Sequence, residues 1–413
     1  MIKHDVIPVP IATQLLDNYQ PGSSFFLSSP QRTLLAQGTF SEMPTYEGTE
    51  ELSSLPKRVT AFLNHVKQSQ HNISVVVGAV PFDHTKPAHL TVPTTIQWGD
   101  GLHFESTNQK EQSLTSKYEI CAIPEPAEYV RGVEQGLNHL ESSDLCKVVL
   151  SRTLQLTSST KIDTHQLLYN LARNNTRGYT FAVDLPIQEA EEWPLGVTPP
   201  SSRRRTLIGA SPELLVSRSG LQVLANPLAG STARSEDPAE DQQRAAALLA
   251  SDKDLYEHAL VVDAVAAALR PYCNTLDVPS KPSLVQTATM WHLSTEISGE
   301  LADHSTSALT LAVALHPTPA VCGSPTEMAR EVIREIEPFD RGFYAGMVGW
   351  CDSNGDGEWV VTIRCAEVDD HSLRLFAGAG VVLGSSPEGE LSETTAKFRT
   401  MLIGMGLNDE QPR

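Results

Sequence analysis

The chain predicts an α+β fold, in which strands and helices are mixed without a regular βαβ alternation. Three observations carry this. Residues 346–365 read as a β-hairpin and 373–380 as a further strand, with Gly378-Ala-Gly380 at its end. Apolar residues recur at helical spacing over 126–140 and 254–269. A last helix follows Pro387, which can open a helix but not continue one. A parallel doubly wound sheet would instead alternate strand and helix throughout.

Taken in order, Val59, Phe62, Leu63 and Val66 mark an early amphipathic helix, and 73–82 read as a strand. Residues 83–120 read as polar and irregular, without chemical motifs. Pro124-Glu-Pro126 opens a helix with Val130, Val133, Leu137 and Leu140 along one side. It stops at Ser142-Ser-Asp144, before a strand over 146–152. Strands at 179–183 and 207–210 flank a stretch, 188–205, rich in Pro, Ser and mixed charge. It reads as an exposed loop, and its Arg203–Arg205 run as a solvated turn, not a basic binding patch. A helix through 328–335 precedes the hairpin. Its turn, Asp352-Ser-Asn-Gly-Asp-Gly-Glu358, begins like a calcium loop but has Ile363 where the bidentate glutamate belongs. Gly378-Ala-Gly380 is followed by Val-Val-Leu and not by a helix, so it is no dinucleotide fingerprint. Its glycines would let backbone amides approach an anion.

The bulk numbers narrow the function. The 413 residues carry a net charge of −19, which argues against nucleic-acid and anionic-membrane partners. A small anion could bind only where a metal or a local Arg/Lys cluster reverses the field. No apolar run approaches the roughly 18 residues that span a bilayer. Met1–Pro10 lacks a basic stretch followed by an apolar one, so no secretory signal is expected. The six cysteines are scattered without a C-x-x-C pair, as suits reduced thiols in a cytoplasm.

Glu390, Glu393 and Lys397 stand at i, i+3 and i+7, on one face of the last helix. Asp254 and Glu257 repeat the i, i+3 pair on another helix. Either pair alone could decorate a surface. Two pairs on facing helices would suit one Mg²⁺, which takes carboxylate oxygens and completes its shell with an anionic ligand. Lys147 interrupts the apolar strand Cys146–Leu150. It is either an edge lysine reaching water or, if desolvated, a general base for water. Glu213, after Gly209-Ala-Ser-Pro212 and before Leu-Leu-Val, is either a plain strand-end glutamate or an acid raised by apolar surroundings. Arg364, read as embedded in a strand, needs an internal carboxylate or an anionic ligand.

Several segments together carry a family likeness. They are Lys147-Val-Val-Leu-Ser-Arg, Gly-Ala-Ser-Pro-Glu213, Pro-Leu-Ala-Gly230-Ser-Thr-Ala-Arg, Lys-Asp-Leu-Tyr-Glu257-His, His316-Pro-Thr-Pro-Ala-Val-Cys-Gly and the Gly-Ala-Gly…Glu390…Glu393…Lys397 tail. In this order, over roughly 120–405, the chain resembles the chorismate-utilising enzymes. The segments Val-Gly-Ala-Val-Pro-Phe-Asp and Glu-Pro-Phe-Asp-Arg…Val-Gly-Trp-Cys-Asp look most like the isochorismate-forming, catecholate siderophore branch, although menaquinone routes share the step.

The resemblance implies a single domain over 1–413, with 1–120 its N-terminal part and 121–405 its catalytic part. It implies two antiparallel β-sheets flanked by helices. Lys147 would activate water for attack at ring C2, and Glu213 would protonate the departing C4 hydroxyl. Glu257, Glu390 and Glu393 would hold Mg²⁺, with Asp254 in a water-mediated shell. Gly230, Ser231, His292, Ala320, Tyr344, Arg364, Gly378, Gly380 and Lys397 would line the chorismate site. A lysine at position 147 and the His-Pro-Thr-Pro-Ala-Val segment favour water over ammonia as nucleophile. Gly230-Ser231-Thr232 fits members that keep the enolpyruvyl group, against a salicylate synthase that eliminates pyruvate. A non-catalytic chorismate-binding subunit is the third reading, set against an intact base, acid and metal set. Oligomeric state is open, with a monomer and downstream pathway enzymes as the working expectations.

Overall fold

The computed structural model describes residues 12–44, 52–69, 71–104, 117–185 and 205–407. The expected 188–205 loop lies outside these, apart from Arg205, which begins a strand. Among the described residues the strands form one long antiparallel sheet and one short one.

The long sheet runs from Cys273–Asp277 through Ile297–Leu301, Gln222–Asn226, Leu214–Ser219, Gly357–Val361 and Met347–Asp352 to Val75–Val80. It continues through His89–Asp100, Arg32–Glu42, Ser24–Ser28, Tyr179–Leu185 and Arg205–Ser211. Cys365–Val368, Ser372–Val381 and Lys147–Ser158 follow, with Tyr118–Ile123 last. The short sheet joins Leu228–Ala233, Met290–Ser294 and Ser283–Gln286. The α+β expectation and the antiparallel sheets flanked by helices are both what is observed. Among the described residues, no helix is long and apolar enough to cross a membrane.

The strand Lys147–Ser158 is buried along nearly its whole length, which explains its continuous Val-Val-Leu run. One neighbour is the helix Pro126–Ser142, whose Tyr129 hydroxyl donates to Leu150 O at 3.0 Å. Another is the helix Pro387–Gly404, capped at its start by Ser386, whose Oγ accepts from Gly389 N–H. The helix Asp252–Leu269 is capped in the same way by Ser251.

Two expectations are corrected. Residues 83–120 are not irregular throughout: among the described ones, His89–Asp100 is a strand and Tyr118 begins the strand Tyr118–Ile123. Thr94, Thr95 and Gln97 are exposed or half-buried there, so the strand's outward face hides it as polar sequence. Arg364 is not embedded in a strand. It sits in the break between Gly357–Val361 and Cys365–Val368 with φ of 50°, a left-handed backbone that L residues rarely adopt. The run Val-Val-Thr-Ile-Arg-Cys shows no turn residue, and only the fold reveals the break.

Candidate active site

A cavity of about 50 Å³ opens where the strands Lys147–Ser158 and Ser372–Val381 meet the short sheet and the two capped helices. Glu213, Gly230, Ser231, Glu257, His292, Ala320, Tyr344, Arg364, Gly378, Gly380, Glu393 and Lys397 line it. Lys147, Asp254 and Glu390 are outside this lining but bound to it by charge: Lys147 pairs with Glu257, while Asp254 and Glu390 both feel Glu393. A roomier cavity of about 400 Å³, beside Gly22, Gly38 and Asp184, lies elsewhere. The smaller one is the candidate site, because the charged and titratable groups converge there.

Lys147 Nζ lies 2.9 Å from Glu257 Oε1, and Lys147 is fully buried. Gly380 makes this approach possible. A Cβ at that position would stand 2.2 Å from Glu257 Oε1 and 2.9 Å from Lys147 Cε. Gly378 and Gly380 face Ser151 and Val149 across the ladder, beyond the Leu373–Leu375 stretch that pairs with Cys365–Val368. Gly378 O accepts from Lys397 Nζ at 2.8 Å. Gly230, at φ of 77°, needs the left-handed freedom of glycine to turn its strand past Asp254.

Glu213 is buried at the end of its strand, where Val361 N–H donates to its carbonyl. Burial pushes its carboxyl up to about 7, against the lowering pull of the Leu228 amide, Lys147, Arg364 and Lys397. It therefore holds a proton near neutrality and can donate it. Arg364 is also buried, and that burial draws its guanidinium down to about 10. Among the described residues no carboxylate forms an ion pair with it. Its Nη2 lies 3.3 Å from His292 Nε2. Burial, then Arg364 and Lys397, hold the His292 imidazole well below its usual range, so it is neutral. Its Nε2 is then the acceptor, with the ring proton on Nδ1.

The expected carboxylates do come from two helices. Lys253 of the first bonds Glu390 Oε1 of the second at 3.0 Å. Lys397 meets Glu393 Oε1 at 2.6 Å, and Ser231 Oγ donates to the same oxygen at 3.0 Å. Burial, then the charge of Glu393, raises Glu390. Burial, the largest influence, pushes Glu393 up, but Lys397, Lys253 and Ser231 together outweigh it and hold the carboxyl below its usual value. Asp254 is raised by burial and by Glu257 and Glu393. Glu390 Oε2 is buried with no hydrogen-bond partner. An orphaned carboxylate oxygen within an all-oxygen donor set is what a hard cation would satisfy. Among the described residues no three acids converge into a closed metal cage, so a cation here would draw its other ligands from substrate and water.

Lys253 is a residue that sequence reasoning passed over, although it stands in Lys-Asp-Leu-Tyr-Glu257-His. Burial lowers its ammonium, but the surrounding Glu390, Glu257 and Glu393 raise it further. The signal was its place one residue before an acid pair. Val149, Pro212, Val321, Ile363 and Phe376 line the cavity without any chemical signature that could have marked them.

An α+β fold closed around ion-paired glutamates, a proton-holding carboxyl and a guanidinium with no carboxylate partner among the described residues has the chemistry of an enzyme site suited to a small anion. The family follows from comparison: the model of the chorismate-binding enzymes matches residues 94–406, and the chain belongs to that family. Isochorismate synthase DhbC of Bacillus subtilis (strain 168) is 57% identical over 408 residues, 99% of this chain and 100% of the relative. The vibriobactin-specific isochorismate synthase of Vibrio cholerae is 40% identical over 401 residues, 97% of this chain and 96% of the relative. A solved Bacillus anthracis structure, assigned as a 2,3-dihydroxybenzoate-specific isochorismate synthase, DhbC, superposes with a TM-score of 0.87 at 52% identity. That likeness covers 96% of this chain and 100% of the other.

Proposed function

We propose that this chain is an isochorismate synthase, converting chorismate to isochorismate for 2,3-dihydroxybenzoate and catecholate siderophore synthesis. The observation that carries this is the presence in one cavity of Arg364, a buried cation with no ion pair among the described residues, and Glu213, a buried acid holding its proton to about 7. An uncompensated buried charge is expensive, and a substrate carboxylate would relieve it. The two similar synthases, aligned over nearly the whole chain, support the same reading.

In this reading water adds at ring C2, Lys147 takes its proton, and the C4 hydroxyl leaves with the proton of Glu213. One water enters and one leaves, so the enolpyruvyl ether is untouched. Lys147 and Glu213 thus work as base and acid on the two reacting carbons. Arg364 and Lys397 hold carboxylates, and the free-edge amides at Gly378 and Gly380 complete their cradle. Ser231, His292, Ala320 and Tyr344 shape the remaining wall. Glu257, Glu390 and Glu393, each paired with a lysine and not converged on one point, would have to close around Mg²⁺ to hold it, with Asp254 acting through water, and the ion would neutralise the ring carboxylate. Cytoplasmic placement fits a substrate of central metabolism.

Incubation with chorismate and Mg²⁺, followed by chromatographic separation of the products, tests the reading. Isochorismate alone is expected. Pyruvate release would instead make the chain a salicylate synthase, and no turnover would make it a binding subunit.

A further inference from the structure

The strand that begins with Lys147 has an unusual edge. Along one side it pairs continuously with Ser372–Val381, from Val148 opposite Val381 to Thr157 opposite Ser372. Along the other, Gly323–Ser324 pairs only with Lys147 and Val148, and Tyr118–Ile123 begins at Thr153. Val149 N–H still donates to Cys322 O at 2.8 Å, but among the described residues no strand pairs with Leu150–Arg152 on this side, and this is where the strand passes the cavity.

Two side chains fill that gap. Glu337 Oε1 accepts from Ser151 N–H at 2.7 Å. Arg341 Nη2 donates to Val149 O at 2.7 Å, and its Nη1 to Val321 O at 2.8 Å. The two are joined to each other, Arg341 Nε to Glu337 Oε2 at 2.8 Å, with both side chains about 2% exposed. The Arg341 guanidinium also lies 4.5 Å over the Phe82 ring. Val149 and Val321 both line the cavity, and Lys147 is two residues from Val149. Tyr344, three residues past Arg341, lies with its hydroxyl 3.3 Å from Ser151 Oγ.

We propose that the buried Glu337–Arg341 pair is a positioning device for the reaction, standing in for a missing strand so that Lys147 and the Val321 wall keep their place beside the substrate. This rests on the reading of Lys147 as the base. The pair bonds backbone atoms of two separate chain segments, so its loss would move both relative to the ring. Simple core filling would need neither the two charges nor these four aligned bonds.

The double variant Glu337→Leu/Arg341→Met removes both charges without leaving one buried alone, a change that folds commonly tolerate. It also leaves Ser151 N–H and the Val149 and Val321 carbonyls without these partners, so the expected result is a cooperative but lowered melt, faster amide exchange over residues 147–153, and kcat lower by about 100-fold, as a displacement of about 1 Å can produce. The KM for chorismate should move far less. Should the double variant not fold, Arg341→Lys, which keeps a charge beside Glu337 but loses the fork that reaches both Val149 O and Val321 O, is expected to show faster exchange and about a tenfold loss of kcat. A folded variant with faster exchange but kcat within twofold of wild type overturns the proposal. Lys147→Ala serves as the reference. If it is inactive while the double variant is fully active, only the positioning role fails; if it is itself active, the base assignment fails as well.

Discussion

Lys147 and Glu257 meet at 2.9 Å directly against Gly380, where even a methyl group would overlap the carboxylate. The contact links a strand to a helix more than a hundred residues later, and it exists only because position 380 has no side chain. Gly380→Ala is therefore expected to displace the pair. Overpacking typically costs about 1–3 kcal/mol, so the protein should still fold. Turnover of chorismate should fall by about 100-fold. Steady-state kinetics beside a thermal melt checks this, and a folded variant with normal kcat would show that the contact is idle.

Lys147→Ala and Glu213→Gln remove the proposed base and acid while leaving Arg364 and Lys397 in place. Turnover is expected to fall by about 10²–10⁴-fold in each, the usual worth of a general acid or base. Calorimetric binding of chorismate should stay within a few-fold of wild type. Retained turnover in either variant would move that role to another residue.

The pH dependence has a definite sign. Glu213 acts while protonated, and burial places its midpoint at about 7. Its contribution to kcat/KM is expected to be full on the acid side and to decline as pH rises through that value. In Glu213→Gln this limb should vanish from the residual rate. A wild-type profile still rising above neutrality would contradict the assignment.

Glu358 gives a separate stability test, away from the candidate site. Burial raises it from 4.5 to about 7, against the pull of Arg32, and one of its oxygens lacks a hydrogen-bond partner. Between those values the folded chain holds a proton that the unfolded chain releases. Its contribution is thus complete below the unfolded value and lost as pH rises through the folded one. Glu358→Gln removes that loss, so at pH 8 the variant should gain on the order of 2–3 kcal/mol relative to its own difference from wild type at acid pH. Paired melts at both pH values decide it, and an equal difference at the two would rule it out.

Chelation should abolish turnover and added Mg²⁺ restore it. If Glu390 is a ligand as proposed, Glu390→Gln is expected to raise the Mg²⁺ concentration for half-maximal rate by at least about tenfold, since it removes that anionic group and frees Lys253. Calorimetric titration with Mg²⁺ gives the same answer without turnover. An unchanged requirement would place the cation elsewhere.

What the sequence by itself determined lies in short-range pattern. Helical spacing and the prolines at 126 and 387 marked the helices that the structure places at Pro126–Ser142, Asp252–Leu269 and Pro387–Gly404, and the apolar run marked the strand of Lys147. Residue chemistry marked Glu213, Arg364 and the acid pairs, because charge in an apolar run has few explanations. The strand His89–Asp100 was illegible, since its solvated face masks it, and so was the turn at Arg364, which no glycine or proline announces. Only the tertiary structure brought Lys147 to Glu257, Lys253 to Glu390, and Glu337 with Arg341 to an unpaired strand edge. These are contacts between segments distant in the chain. Local spacing carries no record of them, because sheet pairing and burial, not neighbouring residues, decide which charges meet.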